Sequence, residues 1–187
     1  FSPAGILAPK SKADLAFTMH MLSWLATNGT AAIVEFPGVL YRGGAEQKIR
    51  KYLIDNNYID TVIQLPANLF FGVGIATCII VLKKSKKDNA TLFIDASGEF
   101  IHEGNKNKLS DANIARFVAR KDDAHFARLV ENGKIAENDY NISVSSYVEQ
   151  PDTREEVDIE ALNLRIAEIV ARQNVLRTAI DAIVATL

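Results

Sequence analysis

Apolar positions come in short blocks up to residue 95, thin out between 97 and 150, and return as a regular stripe after 158. Residues 13–27 carry Leu15, Phe17, Met19, Leu22, Trp24 and Leu25. They leave little polar surface, which predicts a largely buried helix closed by Asn28-Gly29. TAAIVEF (30–36) is a short apolar run and reads as a buried strand. Residues 45–57 place Ile49, Leu53 and Ile54 at helical spacing. Residues 58–65 and the β-branched run 75–83 read as strands, with a loop over 66–74 between them. A shorter strand follows at 91–95. The early alternation of helix and strand predicts an α/β sheet with helices on its faces. The two closely spaced strands at 75–83 and 91–95 predict a hairpin at one edge.

The stretch 97–150 is polar and irregular, with Gly98, Gly104 and Gly133, a helix predicted over 111–119 and a final extended piece in NDYNISVSSYV (138–148). Pro151 marks a boundary. Thr153–Glu156 fits a capping box, and Asp158 offers a second N-cap. Beyond it Ile159, Leu162, Ile166, Ile169, Gln173, Leu176, Ile180, Ile183 and Leu187 recur in steps of three and four, a heptad seam with Gln173 as its polar interruption. A seam of this kind needs a partner, and Leu162, Ile166, Ile169, Leu176, Ile180 and Ile183 are its docking candidates. The expected organisation is 1–96, an α/β extension over 97–150, and a helical tail over 151–187.

Composition narrows the class. Hydrophobic residues make up 48% of the 187, enough for a real core. A net charge of −2 excludes a uniformly basic surface, although a local nucleic-acid groove stays open. Cys78 is alone, so no internal disulfide forms, and no Cys/His cluster suggests a metal; a reducing cytoplasm fits. No apolar run approaches the ~20 residues that span a bilayer. The start has neither a signal-peptide pattern nor Met, and a fragment of a longer protein is expected.

Three features carry candidate chemistry. The loop 66–74 holds adjacent Phe70 and Phe71 with Gly72 and Gly74. Enzymes that modify a base hold it, unstacked, between flat apolar groups, so these rings are candidates for stacking; plugging the sheet edge is the other reading. Gly72-Val73-Gly74 is no dinucleotide motif, because position 77 is Thr and a strand follows. Arg42, Gly43 and Gly44 precede a helix and read either as an anion site or as a tight turn. Lys83 and Lys84 lead a basic run that reads either as phosphate contacts or as a solvated strand end. His20, His102 and His125 are scattered, and Asp122-Asp123 and Glu155-Glu156 read as solvated surface or caps.

Three stretches, taken in order, resemble the modification subunit of type I restriction–modification systems. They are GILAPKSKADLAF (5–17), the run from Asn28 through LPANLFFGVGIATCIIVLKK to Lys84, and NDYNISVSSYV. The resemblance implies the C-terminal part of a Rossmann-like methyltransferase sheet, parallel but for one reversed strand. It implies transfer of a methyl group from S-adenosylmethionine to N6 of adenine in DNA. Residues 30–36 would be the fifth strand and 58–65 and 75–83 the last two, the second inserted antiparallel. The family's base-stacking aromatic would fall on Phe70, with Phe71 next. The cofactor loop and the Asn-Pro-Pro-aromatic motif are absent, so no catalytic residue is expected in this chain and the isolated piece is expected to be inactive. Implied partners are DNA, the specificity and restriction subunits and a second modification subunit, with the heptad tail as docking element. A non-catalytic scaffold is the alternative.

Overall fold

The computed structural model describes residues 2–120, 123–150 and 158–186. The chain forms two units, Phe1–Pro151 and Asp152–Leu187. The first runs through α1 (Asp14–Trp24), β1 (Thr30–Glu35), a 3-10 turn (Pro37–Leu40), α2 (Ala45–Asp55), β2 (Ile59–Gln64), β3 (Cys78–Lys83) and β4 (Ala90–Asp95). A small hairpin of β5 (Ile101–Glu103) and β6 (Lys106–Lys108) follows, then α3 (Asp111–Val118), β7 (Ala127–Glu131), α4 (Asn132–Glu137) and a second 3-10 turn (Val144–Ser146).

The main sheet has the order β1-β3-β2-β4-β7. β3 lies antiparallel to both β1 and β2, β2 and β4 are parallel, and β7 is antiparallel to β4. The reversed insertion of β3 is as the resemblance implies; β7 adds a second reversed strand. The expected edge hairpin does not form, because β2 lies between β3 and β4. Residues 84–89 reach up to ~20 Å when extended, whereas stepping past one strand takes only ~10 Å. Lys86 fixes that crossing: its Nζ donates to Ile59 O at 2.7 Å and to Ala90 O.

One face of the sheet packs Ile80, Leu82, Val62 and Phe93 with Leu15 and Leu22 of α1 and Ile49 and Leu53 of α2. The other packs Leu92 and Ile94 against Phe117 and Phe126. α1 is less buried than its composition suggests. Leu15, Thr18 and Leu22 form its inward stripe, while Phe17 and Trp24 point outward, 65% and 80% exposed. It also ends early, since Leu25 is already extended; a Cβ at Gly29 would sit 2.7 Å from the Leu25 side chain, which would have to shift to admit it. β1 is not a buried strand but alternates, with Ala32 and Val34 exposed and Glu35 buried. The piece 138–148 is not extended either. Asp139 and Tyr140 adopt positive φ, and Ile142, Val144 and Val148 reach the core around the second 3-10 turn. α3 forms as expected, with a Ser110–Asn113 capping box.

The second unit is α5 (Ile159–Val184), capped by Asp158, whose carboxylate accepts from the Glu160 and Ala161 N–H groups at 3.0 Å. By itself this helix buries none of its apolar residues. The predicted boundary at Pro151, the capping box at 153–156 and the seam's last member, Leu187, lie outside the described residues.

Candidate functional site

Because β1, β2 and β4 run parallel, their carboxyl ends share one edge of the sheet. In open α/β sheets that edge is where ligands bind. The β2–β3 loop leaves from it. Its base is closed by the Leu65 N–H donating to Thr77 O at 2.9 Å and by the Gln64 side chain donating to the same carbonyl at 3.3 Å. Between these anchors the chain turns through positive φ at Asn68 (57°) and Gly72 (73°). Phe70 is 41% exposed and Phe71 99%. Phe71 therefore plugs nothing, and Phe70 only in part.

The loop is held from outside by the β5–β6 hairpin. The Asn107 N–H donates to Asn68 O at 3.1 Å, its side-chain amide to Ala67 O at 2.8 Å, and Lys106 Nζ to Phe70 O at 3.2 Å. These bonds grip the backbone on both sides of Leu69 and leave the two rings free.

Beside the loop, the exit of β1 supplies the second wall of a cleft. Phe36, Pro37, Gly38, Tyr41 and Arg42 face Ile75 and Ala76 across it, with Asp14 from the first turn of α1 at its rim, around a volume of 560 Å³. The wall is apolar and partly uncovered: Phe36, Tyr41 and Ile75 are 44%, 58% and 59% exposed. Arg42 folds back over Gly38, where any Cβ would meet the guanidinium within 2.2–2.6 Å, and pairs with Glu46 at 3.3 Å. Gly44 precedes α2 with φ 71°, a conformation that favours glycine. Arg42, Gly43 and Gly44 thus lie on the same edge as the aromatic loop.

Lys83 and Lys84 do not. Lys83 ends the reversed strand β3 with Lys84 just beyond it, and Lys83 stands opposite Thr30 at the start of β1, so a strand's length separates them from the loop. Lys84 Nζ donates to Leu25 O at 2.6 Å.

Just inside the carboxyl edge, Thr18 donates to the buried Glu35 carboxylate at 2.9 Å. Burial holds the Glu35 pKa above its usual value, the Thr18 bond opposes this, and nearby Asp14 adds to it. The Cys78 thiol donates to Glu35 O at 3.4 Å; burial first, and the Glu35 charge second, push its pKa up to about 12. It is no nucleophile at neutral pH. Among the described residues one buried side-chain atom, Thr77 Oγ1, has no hydrogen-bond partner. No group of His, Cys, Asp and Glu among the described residues is arranged to hold a metal.

Sequence reasoning alone singled out Phe70, Phe71, Arg42, Gly43 and Gly44, which share this edge, and Lys83 and Lys84, which do not. It missed Phe36, Tyr41 and Asp14, which come together only when β1 and the β2–β3 loop share an edge. It also missed Asn107, in a polar stretch where the β5–β6 hairpin was not predicted.

The family described as N-6 DNA Methylase matches residues 1–156. The chain is 52% identical to the type I restriction enzyme MpnII methylase subunit of Mycoplasma pneumoniae, over 98% of this chain and 35% of that protein. It is 37% identical to the MjaVIII methylase subunit of Methanocaldococcus jannaschii, over 80% of this chain and 27% of that protein. The chain thus spans about a third of the length of the first of these curated relatives and about a quarter of the second. The crystal structure of a type I restriction-modification methyltransferase subunit from Streptococcus thermophilus superposes with a TM-score of 0.78 at 47% identity, covering 81% of this chain and 33% of that one. The EcoKI M protein matches at a TM-score of 0.63 and 18% identity, over 78% of this chain and 40% of that one, a likeness of fold.

Proposed function

The chain belongs to the N-6 DNA methylase family, and from that premise we propose that it is part of an adenine-specific DNA methyltransferase of a type I restriction–modification system. The whole protein would transfer a methyl group from S-adenosylmethionine to N6 of adenine, working in the cytoplasm with DNA, a specificity subunit, a restriction subunit and a second modification subunit. The observation that carries the reading is the pair of exposed rings, Phe70 and Phe71, on a braced loop at the carboxyl edge of the sheet.

In this reading an adenine taken out of the duplex stacks on Phe70, with Phe71 as a second surface. Stacking on an aromatic is worth ~1–3 kcal/mol per base. Arg42, with the backbone of Gly43 and Gly44, lies on the DNA side of the same edge; Lys83 and Lys84, at the opposite edge, have no place in this site. The residues present do not provide the cofactor's binding loop. Gly72 and Gly74 open onto a strand rather than a helix. Calorimetric titration of this chain with S-adenosylmethionine should show no micromolar binding.

The test is Phe70→Ala in the assembled enzyme with 2-aminopurine at the target position. Lower fluorescence and slower methylation are expected, with unchanged thermal unfolding. Wild-type turnover would sink the stacking role. A second reading, a non-catalytic module docking through α5, is favoured by the unburied apolar stripe of that helix. It predicts assembly without any effect of Phe70 on methylation.

A further inference from the structure

α5 buries none of its apolar residues by itself, and its charges are sorted around the stripe. With Ile159, Ile166, Gln173 and Ile180 at a, and Leu162, Ile169, Leu176 and Ile183 at d, the flanking e and g positions receive all of the helix's arginines: Arg165 and Arg172 at g, Arg177 at e. Its acids Glu160, Glu168 and Asp181 fall at b and c, turned away from the stripe. Asp158, also at a g position, is committed to the N-cap through two hydrogen bonds.

This sorting bears on what covers the stripe. In coiled coils the e and g charges set partner choice and orientation. A parallel copy of the same helix would set Arg172 against Arg177 on both sides of the pair. In either direction, self-pairing brings together flanks whose uncommitted charges are all positive, so it gains no opposite-charge contact. We infer that the apolar stripe of α5 docks on a different helix, one with its own apolar seam flanked by carboxylates, and that Arg165, Arg172 and Arg177 select it. This rests on the reading of α5 as a docking element and adds the chemistry of the partner.

Two designed helical peptides test it, with the same Ile/Leu seam and one central polar position, one carrying Glu and the other Lys at every e and g position. Binding to the 187-residue chain is measured by fluorescence anisotropy, with sedimentation of the chain alone. The chain is expected to stay monomeric and to bind the Glu-flanked peptide about ten- to a hundredfold more tightly than the Lys-flanked one. That preference should shrink towards 1 M salt, where charges are screened within ~3 Å. It should invert in Arg165→Glu/Arg172→Glu/Arg177→Glu, whose helicity is checked by circular dichroism. Equal binding of the two peptides, insensitive to salt, would overturn the partner chemistry and leave docking standing. Binding of neither peptide would overturn docking through this stripe, and a stable homodimer of the chain would show that a second copy covers it.

Discussion

The two edges of the main sheet treat their polar and apolar groups in opposite ways. At the amino edge, polar groups are spent on the protein itself. Lys86, its side chain only 3% exposed, donates to Ile59 O and Ala90 O. Asn132 joins Ile54 O, Asn57 and Asn89, and accepts from Thr91. Asp60 pairs with Arg120 at 2.6 Å. At the carboxyl edge, Phe36, Tyr41, Phe70, Phe71 and Ile75 are left uncovered, and Thr77 Oγ1 is unpartnered. The first edge closes the fold, while the second keeps surface for something else. A lysine run is therefore a poor guide to a nucleic-acid site until the fate of each ammonium is known.

Substitutions at the two edges should separate in kind. The largest effect is expected for Lys86→Ala, which removes a buried charge-assisted donor from two carbonyls. It should cost about 2–3 kcal/mol in urea unfolding and leave the specific activity of the folded enzyme unchanged; a stable but inactive variant would break the contrast. Phe70→Ala should do the reverse, losing ~1–3 kcal/mol of transition-state stabilisation with stability intact. Asn107→Ala, which frees the loop backbone on one side, should cost about 1 kcal/mol, read as slower methylation that Asn107→Asp does not rescue, because the carboxylate cannot donate to Ala67 O. For DNA binding by the assembled enzyme, Arg42→Ala should lower the slope of log K against log salt by about 1. Lys84→Ala should leave the slope unchanged. Equal slopes for the two variants would erase the distinction between the edges.

The smallest effect is expected at Glu35. Its pKa is raised in the folded state, so the folded chain holds more protons than the unfolded one between the usual value of 4.5 and the raised value. Stability falls as pH rises through that window. The contribution is therefore complete below 4.5 and lost above the folded pKa. Glu35→Gln, which keeps an acceptor for Thr18, should flatten this part of the pH–stability curve and be at least as stable as wild type at pH 7; an unchanged curve would exclude Glu35 as its source.

Local pattern alone was enough for much of this protein. The β-branched run ending at Lys83, the Ile49/Leu53/Ile54 spacing of α2 and the span of α3 all reflect interactions within a few residues, which a sequence displays directly. The Phe70-Phe71 pair and the three-and-four spacing after Asp158 were legible for the same reason. Strand order was not. β-branched content predicts a strand within 75–83, but whether its neighbour is the strand before or after it depends on how a short connection crosses β2. The outward turn of Phe17 and Trp24, the gathering of Phe36, Tyr41 and Ile75 into one cleft, the separation of Lys83 and Lys84 from it, and the grip of Asn107 on the loop were likewise decided only in three dimensions. Each depends on contacts between segments far apart in the chain, and their energies are set by the packing of the sheet rather than by the residues on either side.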